Sequence, residues 1–448
     1  MKLNFKGIIK CAFFAAILGA ILSCTAKTEE KNATYIDIEG ALGKGRVIPL
    51  SEIAEEVTVI PLETADTLLV GDISWGNNFF SYENGHFYIM DMSETVWIFD
   101  KEGKFFNKFN RKGRGPEEFP RADGIEVEPE TGNVIVFFNG IDFYEYRMDG
   151  SFIRKIDTPN DESVRAAILN YGFKVNKNLY FVSAEALPER EMSVKGDKRS
   201  LCAVTFDSLS NIRAKIYFPE AESAPASSAS QNLFQVHSGQ SGFSSVVITP
   251  NAHFFRYRNN IRIKYMFDNI ITTVNEKGEH DTVYNINFGK YATTRDFVNN
   301  ENQTGVDLDS KVITVYDVME SDNNLYFLLE PRGLAHNPYE NTETARDGTQ
   351  SIRKTTSCYA LFNKKSGEFH LMERPEGGNK MGFLDDISGG PVFWPKYISS
   401  EEYLVSFCTA LDFIEYAENK DASEKIKKIA SKLDENDNPV VVLVKLKY

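Results

Sequence analysis

Val96-Trp97-Ile98-Phe99-Asp100-Lys101-Glu102-Gly103-Lys104-Phe105 carries the architectural signal of this chain. A short run with no polar face ends in an aromatic, a turn of Asp and Gly follows, and a second strand begins. Gly accepts positive φ and Asp or Asn bonds its own backbone, so the segment reads as a β-hairpin. The pattern returns as Phe143-Tyr144-Glu145-Tyr146-Arg147-Met148-Asp149-Gly150-Ser151-Phe152. Looser copies occupy Ala203–Ser208, Thr273–Gly278 and Ala360–Gly367, which makes five. A sheet with one wet face would alternate apolar and polar residues, whereas Val96–Phe99 is apolar on both sides, as a sheet covered on both faces requires. Repeated hairpins of doubly covered strands point to blades stacked around an axis.

The remaining strand signals lie at the two ends. Glu56–Leu62 and Pro439–Leu446 are both rich in Val, Ile and Leu. Paired in one blade, they would seal a ring and remove an exposed sheet edge. Five internal blades and one shared blade predict an all-β, six-bladed β-propeller over residues 46–448, closed by its N- and C-terminal strands. A helix is expected near Asp421–Leu433, where Ile426, Ile429, Ala430 and Leu433 fall at helical spacing, packed outside the last blade. Pro219–Gly242 and Gly333–Gln350 read as surface loops.

The N-terminal residues read as an address. Lys2, Lys6 and Lys10 precede an uncharged run of twelve residues from Cys11 to Leu22. That run is shorter than the roughly 20 residues a membrane-spanning helix needs and fits the core of a secretory signal. It ends in Ile21-Leu22-Ser23-Cys24, which is similar to a bacterial lipobox; the resemblance implies cleavage after residue 23 and diacylglycerol on Cys24. Residues 24–45 are expected to form a flexible tether. Glu29 and Glu30 follow the cysteine as acidic residues do in surface-displayed lipoproteins of Bacteroides-like bacteria. The expected location is the cell envelope, at the outer membrane, with display at the surface as one outcome.

The full sequence has 50 basic and 64 acidic residues, and removal of the three signal lysines leaves a net charge of −17. Nucleic-acid affinity comes largely from Lys and Arg on phosphates, so that class of partner is excluded. Cys202, Cys358 and Cys408 are widely separated and odd in number, which predicts buried thiols rather than a disulfide framework.

Three places resemble the six-bladed β-propeller lipoproteins abundant in Bacteroides and relatives, which are NHL-like in shape. They are Ile48–Ala54 with Val59–Thr64, Phe99–Gly103 leading into Arg111–Phe119, and Asp437-Asn438-Pro439. Arg111-Lys112-Gly113-Arg114-Gly115-Pro116-Glu117-Glu118-Phe119 is the most specific of them. It is no phosphate loop, since neither Lys-Ser/Thr nor a helix opening follows. It lies between the outer strand of one blade and the inner strand of the next. Arg111, Arg114, Glu117 and Glu118 are therefore the candidate ligand-binding residues; the alternative is a loop that only fixes the angle between blades.

Hydrolytic propellers hold calcium in the channel with acidic side chains from several blades. Asp91, Asp123 and Asp142 are candidates for such a site, but no short motif gathers them. Asp434–Asn438 lacks the glycine and the distant ligand of a calcium loop. The six histidines are scattered singly, and no nucleophile elbow is present. No catalytic residue, cofactor or metal is therefore assigned, calcium being the one alternative. The expected role is a binding module for a glycan, a peptide or an envelope protein. A metal-dependent hydrolase or lyase, and a scaffold in an envelope complex, are the other readings.

Overall fold

A computed structural model describes residues 33–73, 79–138, 142–165, 167–186, 201–219, 233–236, 245–248, 252–304, 307–344, 350–375, 380–419 and 422–447. The predicted signal segment and Cys24 lie outside them. Six four-stranded antiparallel blades form a β-propeller, the first five running in chain order from the channel outward. Blade 1 is Phe80–Glu83, His86–Met90, Val96–Asp100 and Phe105–Phe109; blade 2 is Gly124–Val127, Val134–Phe138, Asp142–Tyr146 and Phe152–Asp157. Blade 3 is Ala167–Asn176, Leu179–Ala186, Leu201–Phe206 and Ile212–Tyr217; blade 4 is Ala252–Tyr257, Asn260–Tyr265, Ile270–Val274 and His280–Asn287. Blade 5 is Thr314–Glu320, Asn324–Glu330, Cys358–Asn363 and Phe369–Leu371.

Blade 6 closes the ring as the sequence predicts. Tyr397–Ile398, Tyr403–Cys408 and Val440–Leu446 come from the C-terminal part, and Ala54–Pro61 adds the outermost strand. Val57 faces Val444 and Ile60 faces Val441 in that pairing. All five repeated hairpins turn out to be one element, the connection between third and fourth strands. Blade 6 has no copy because its third and fourth strands are far apart in sequence and no turn joins them. Four of these turns place a glycine at positive φ, Gly103, Gly150, Gly278 and Gly367, where the left-handed region admits a residue without Cβ. In blade 3 Ser210 takes that conformation instead.

The doubly apolar strands are buried between neighbours, and Val96, Ile98 and Phe99 are fully enclosed. Tyr88, Ile98, Ile125, Val136 and Tyr144 form one cluster between blades 1 and 2, so burial runs across blades rather than within each. At the seam between blade 6 and the loop after its outer strand, Asn438 is buried and fully bonded. Its backbone N–H donates to Thr64 Oγ1, Nδ2 donates to the carbonyls of Glu63 (2.7 Å) and Leu68 (2.6 Å), and Oδ1 accepts from Val70 N–H (2.8 Å).

Three features differ from expectation. Within the stretch expected to be tether, Thr34–Asp37 adds a fifth strand to the outer edge of blade 4, and Ile38–Ala41 forms a helical turn. The reason is apolar burial, since Ile36 and Ile38 are completely enclosed against Phe288 and Leu371. The strap continues along blade 5, where Arg46 N–H donates to Leu371 O, and reaches blade 6 at Leu50. Gly333–Gln350 contains most of a hairpin, Tyr339–Thr344 with Gln350–Thr355, inserted between the second and third strands of blade 5. Leu233–Val236, inside the other expected loop, pairs with Ser245–Ile248. Two helices, Ala410–Ala417 and Glu424–Ala430, precede the closing strand where one was predicted. Both start at hydroxyl caps, Thr409 and Ser423, and bury Phe413 and Ile426 against Val59 and Val440.

Candidate functional site

The inner strands surround a cavity of about 1790 Å³. Each inner strand starts after a blade-to-blade connection and ends in a tight turn to the second strand. The cavity lining continues past the strand ends into those turns in five blades, through Glu128–Glu130, Asn176–Asn178, Arg258–Asn259, Asp322 and Ser399–Ser400. The cavity therefore reaches the face formed by these turns.

Its wall is built from ion pairs, most of which tie one blade to another. Arg256, on the inner strand of blade 4, reaches Glu126 of blade 2 at 3.3 Å and donates to the Lys174 carbonyl of blade 3. That one guanidinium bridges three blades. Burial pushes the Glu126 carboxyl up, with Arg256 acting in the opposite sense. Lys174 Nζ donates to Glu128 (2.9 Å) and to Glu145 (3.1 Å). Glu145 also accepts from Arg154 Nε (2.6 Å) and Tyr180 O–H (2.5 Å). Burial raises Glu145, but those three donors together outweigh it and hold the carboxyl below its ordinary value.

Blades 4 and 5 are joined in the same way. Glu320 is fully enclosed and accepts from Arg262 (2.8 Å), Tyr284 (2.8 Å) and Lys364 (2.7 Å). His253 Nε2 lies 2.9 Å from Asp317 Oδ1. Burial works against the imidazolium, the Asp317 charge and hydrogen bond offset it, and the His253 pKa rises above its ordinary value. At the rim Arg258 makes a two-pronged contact with Asp322 (3.0 and 2.6 Å), and Tyr257 O–H donates to the same carboxylate. Glu83 of blade 1 accepts from Tyr397 O–H (2.6 Å) and from Ser400 of blade 6, while burial pushes its carboxyl up. Among the described lining residues eight carboxylates stand beside seven Lys and Arg side chains, so the wall is nearly balanced.

Arg111, Arg114, Glu117 and Glu118 lie together on the connection into blade 2, at the opposite end of the inner strand, and none lines this cavity. Arg111 Nε donates to Gly150 O, and the Glu117 carbonyl accepts from Tyr146 O–H. Glu118 folds back to accept from Gly115 N–H (2.8 Å), and a Cβ on Gly113 would sit 1.8 Å from that carboxylate. The two glycines thus make room for an internal cap. Arg114 is exposed.

Asp91 is buried under Ser93, Thr95 and Trp97 as a loop hub; Asp123 pairs with Arg121 and Asp142 with Lys155. Among the described residues no group of three or more His, Cys, Asp or Glu is arranged to hold a metal. Cys202, Cys358 and Cys408 form no disulfide, and burial raises the Cys358 and Cys408 thiols to about 12.

The fold and this wall define a six-bladed β-propeller whose channel is lined by cross-blade ion pairs. Residues 33–445 match a domain of unknown function, DUF4934, and the chain belongs to that family. No curated protein matches the chain. A crystal structure of a protein from Bacteroides fragilis, described as exported, superposes with a TM-score of 0.61 at 18% identity, covering 93% of this chain and all of that one. A member of the DUF4221 family from Bacteroides vulgatus covers 88% of this chain and 97% of its own, at 14% identity and a TM-score of 0.46.

The channel residues escaped sequence reasoning because each blade supplies only a few and their partners stand on other blades. Glu126, Lys174, Arg256 and Asp317 are separated by roughly a blade's length apiece, and no local spacing links them. A signal was present in retrospect. Charged residues inside otherwise apolar inner strands, such as Lys174 within Gly172–Asn176, are costly unless paired.

Proposed function

We propose that this chain is an exported lipoprotein, acylated at Cys24 and held at the outer membrane, whose propeller binds a ligand in the turn-face cavity without transforming it. The observation that carries this reading is the wall itself. Its carboxylates are engaged by basic, hydroxyl or amide donors rather than aimed at a common point, an arrangement suited to a rigid recognition surface. The lipobox-like segment and the likeness to a Bacteroides fragilis protein described as exported support the location. The ligand classes in view are a glycan, a peptide and an envelope protein.

Two experiments test it. Palmitate labelling in the native host should mark the wild type and not Cys24→Ala, and the variant should leave the membrane fraction; a labelled variant removes the anchor. Arg256→Met should abolish binding of any ligand found by thermal-shift screening. Turnover of that ligand in the presence of calcium would instead make the protein an enzyme.

A further inference from the structure

We infer that the cavity takes an uncharged, polyhydroxylated ligand, an oligosaccharide of several rings; this rests on the proposal that the channel is the binding site. Four observations converge on it. The cavity, at about 1790 Å³, exceeds the roughly 300–1,000 Å³ usual for small-molecule pockets, which favours an oligomeric ligand. The described wall has almost no excess of either charge, whereas recognition of an anion or cation needs a surplus of its opposite.

Much of the charge on the inner strands and their turns is also already committed. Arg256 is on Glu126, Lys174 on Glu128, Arg258 on Asp322 and His253 on Asp317. A charged ligand would have to strip a partner from one of these pairs and leave that partner uncompensated. A hydroxyl both donates and accepts, so it can bond to the edge of an ion pair that stays intact. Finally, Phe254, Tyr316 and Tyr397 line the cavity from the inner strands of three consecutive blades, 4, 5 and 6, and all three are half-buried. Side chains with an apolar face and, at Tyr316, a polar tip suit the C–H faces and hydroxyl rims of sugar rings, while the Tyr397 O–H is held by Glu83.

The experiment is calorimetric titration of the purified full-length protein with six-ring probes. Cellohexaose, maltohexaose, xylohexaose and mannohexaose are the neutral set; hexagalacturonate, hexaglucosamine, and deca-aspartate and decalysine peptides are the charged set. At least one neutral hexasaccharide should bind, at least ten-fold more tightly than any charged probe. Tyr316→Ala and Phe254→Ala should each weaken that binding ten-fold or more with an unchanged circular-dichroism spectrum, and Tyr316→Phe should retain most of it. Failure of every neutral probe to bind, or tighter binding of a charged one, overturns the ligand class. If a charged probe binds and Arg256→Met abolishes it, the channel reading survives and only the class falls. Binding that ignores Arg256→Met, Tyr316→Ala and Phe254→Ala alike sinks both.

Discussion

Replacement of Asn438 by alanine should loosen the seam of the ring. The side chain is almost wholly buried and makes three hydrogen bonds to the loop that follows the outer strand of blade 6, at Glu63, Leu68 and Val70. Each such bond contributes about 0.5–1.5 kcal/mol net, which sums to about 1.5–4.5 kcal/mol. The upper half of that range applies if Val70 N–H is left dry after truncation. Asn438→Asp sharpens the test. The carboxylate keeps the acceptor for Val70 but sets an oxygen against two carbonyl oxygens, so at neutral pH it should be at least as destabilising as alanine. Equilibrium urea unfolding, read as a shift of midpoint at constant slope, measures both. An alanine variant within about 0.5 kcal/mol of wild type, below the smallest single bond in that sum, would refute the account, as would Asn438→Asp more stable than Asn438→Ala.

Other substitutions probe the turns, the channel and the strap. Gly103→Ala should be clearly worse than Gly367→Ala: both have positive φ, a penalty of about 1–2 kcal/mol, but only at Gly103 would the new Cβ meet Pro61 O at 2.6 Å. Equal midpoint shifts in thermal melts would dismiss the clash. His253 has a raised pKa, so its pairing with Asp317 adds stability that is complete below about pH 6.5 and lost as pH rises through the folded-state value. The stability gap between wild type and His253→Gln should therefore be wider at pH 6 than at pH 9; a gap that widens with pH contradicts the assigned partner. Ile36→Ala should cost about 2–4 kcal/mol from cavity formation in a fully buried site. A chain starting at residue 46 should lose at least as much in the same unfolding assay, and an unchanged midpoint would show the strap to be dispensable.

The sequence exposed the architecture wherever local chemistry repeats. Asp100, Asn275 and Asn363 each cap their own turn through a side-chain oxygen, and a glycine follows within four residues, so the hairpins announced themselves. Ser210 did the same task without glycine in blade 3. Thr34–Asp37 was illegible because four residues are too few to establish a period; the apolar hollow at the edge of blade 4 makes them a strand. The Gly113–Glu118 loop has a structural reason to be conspicuous. Its glycines admit the Glu118 carboxylate, a structural need as demanding of sequence as any ligand. The cavity wall was the least legible part, since a ring assembles it from single residues that only closure brings together.

That closure also sets the order in which the molecule can become itself. Val440–Leu446 is not an edge; it lies between Tyr403–Cys408 and Ala54–Pro61, and hydrogen-bonds to both. Until this strand arrives, two sheet edges lie open, one on each side of a gap, while the other five blades can already be complete. Such edges recruit strands from other chains, and contacts between distant parts of a sequence form slowly. The vulnerable moment in this protein's life is therefore the interval before its keystone drops in, which is when a chaperone would matter most and when loss of Val440–Leu446 would do more harm than a clipped loop.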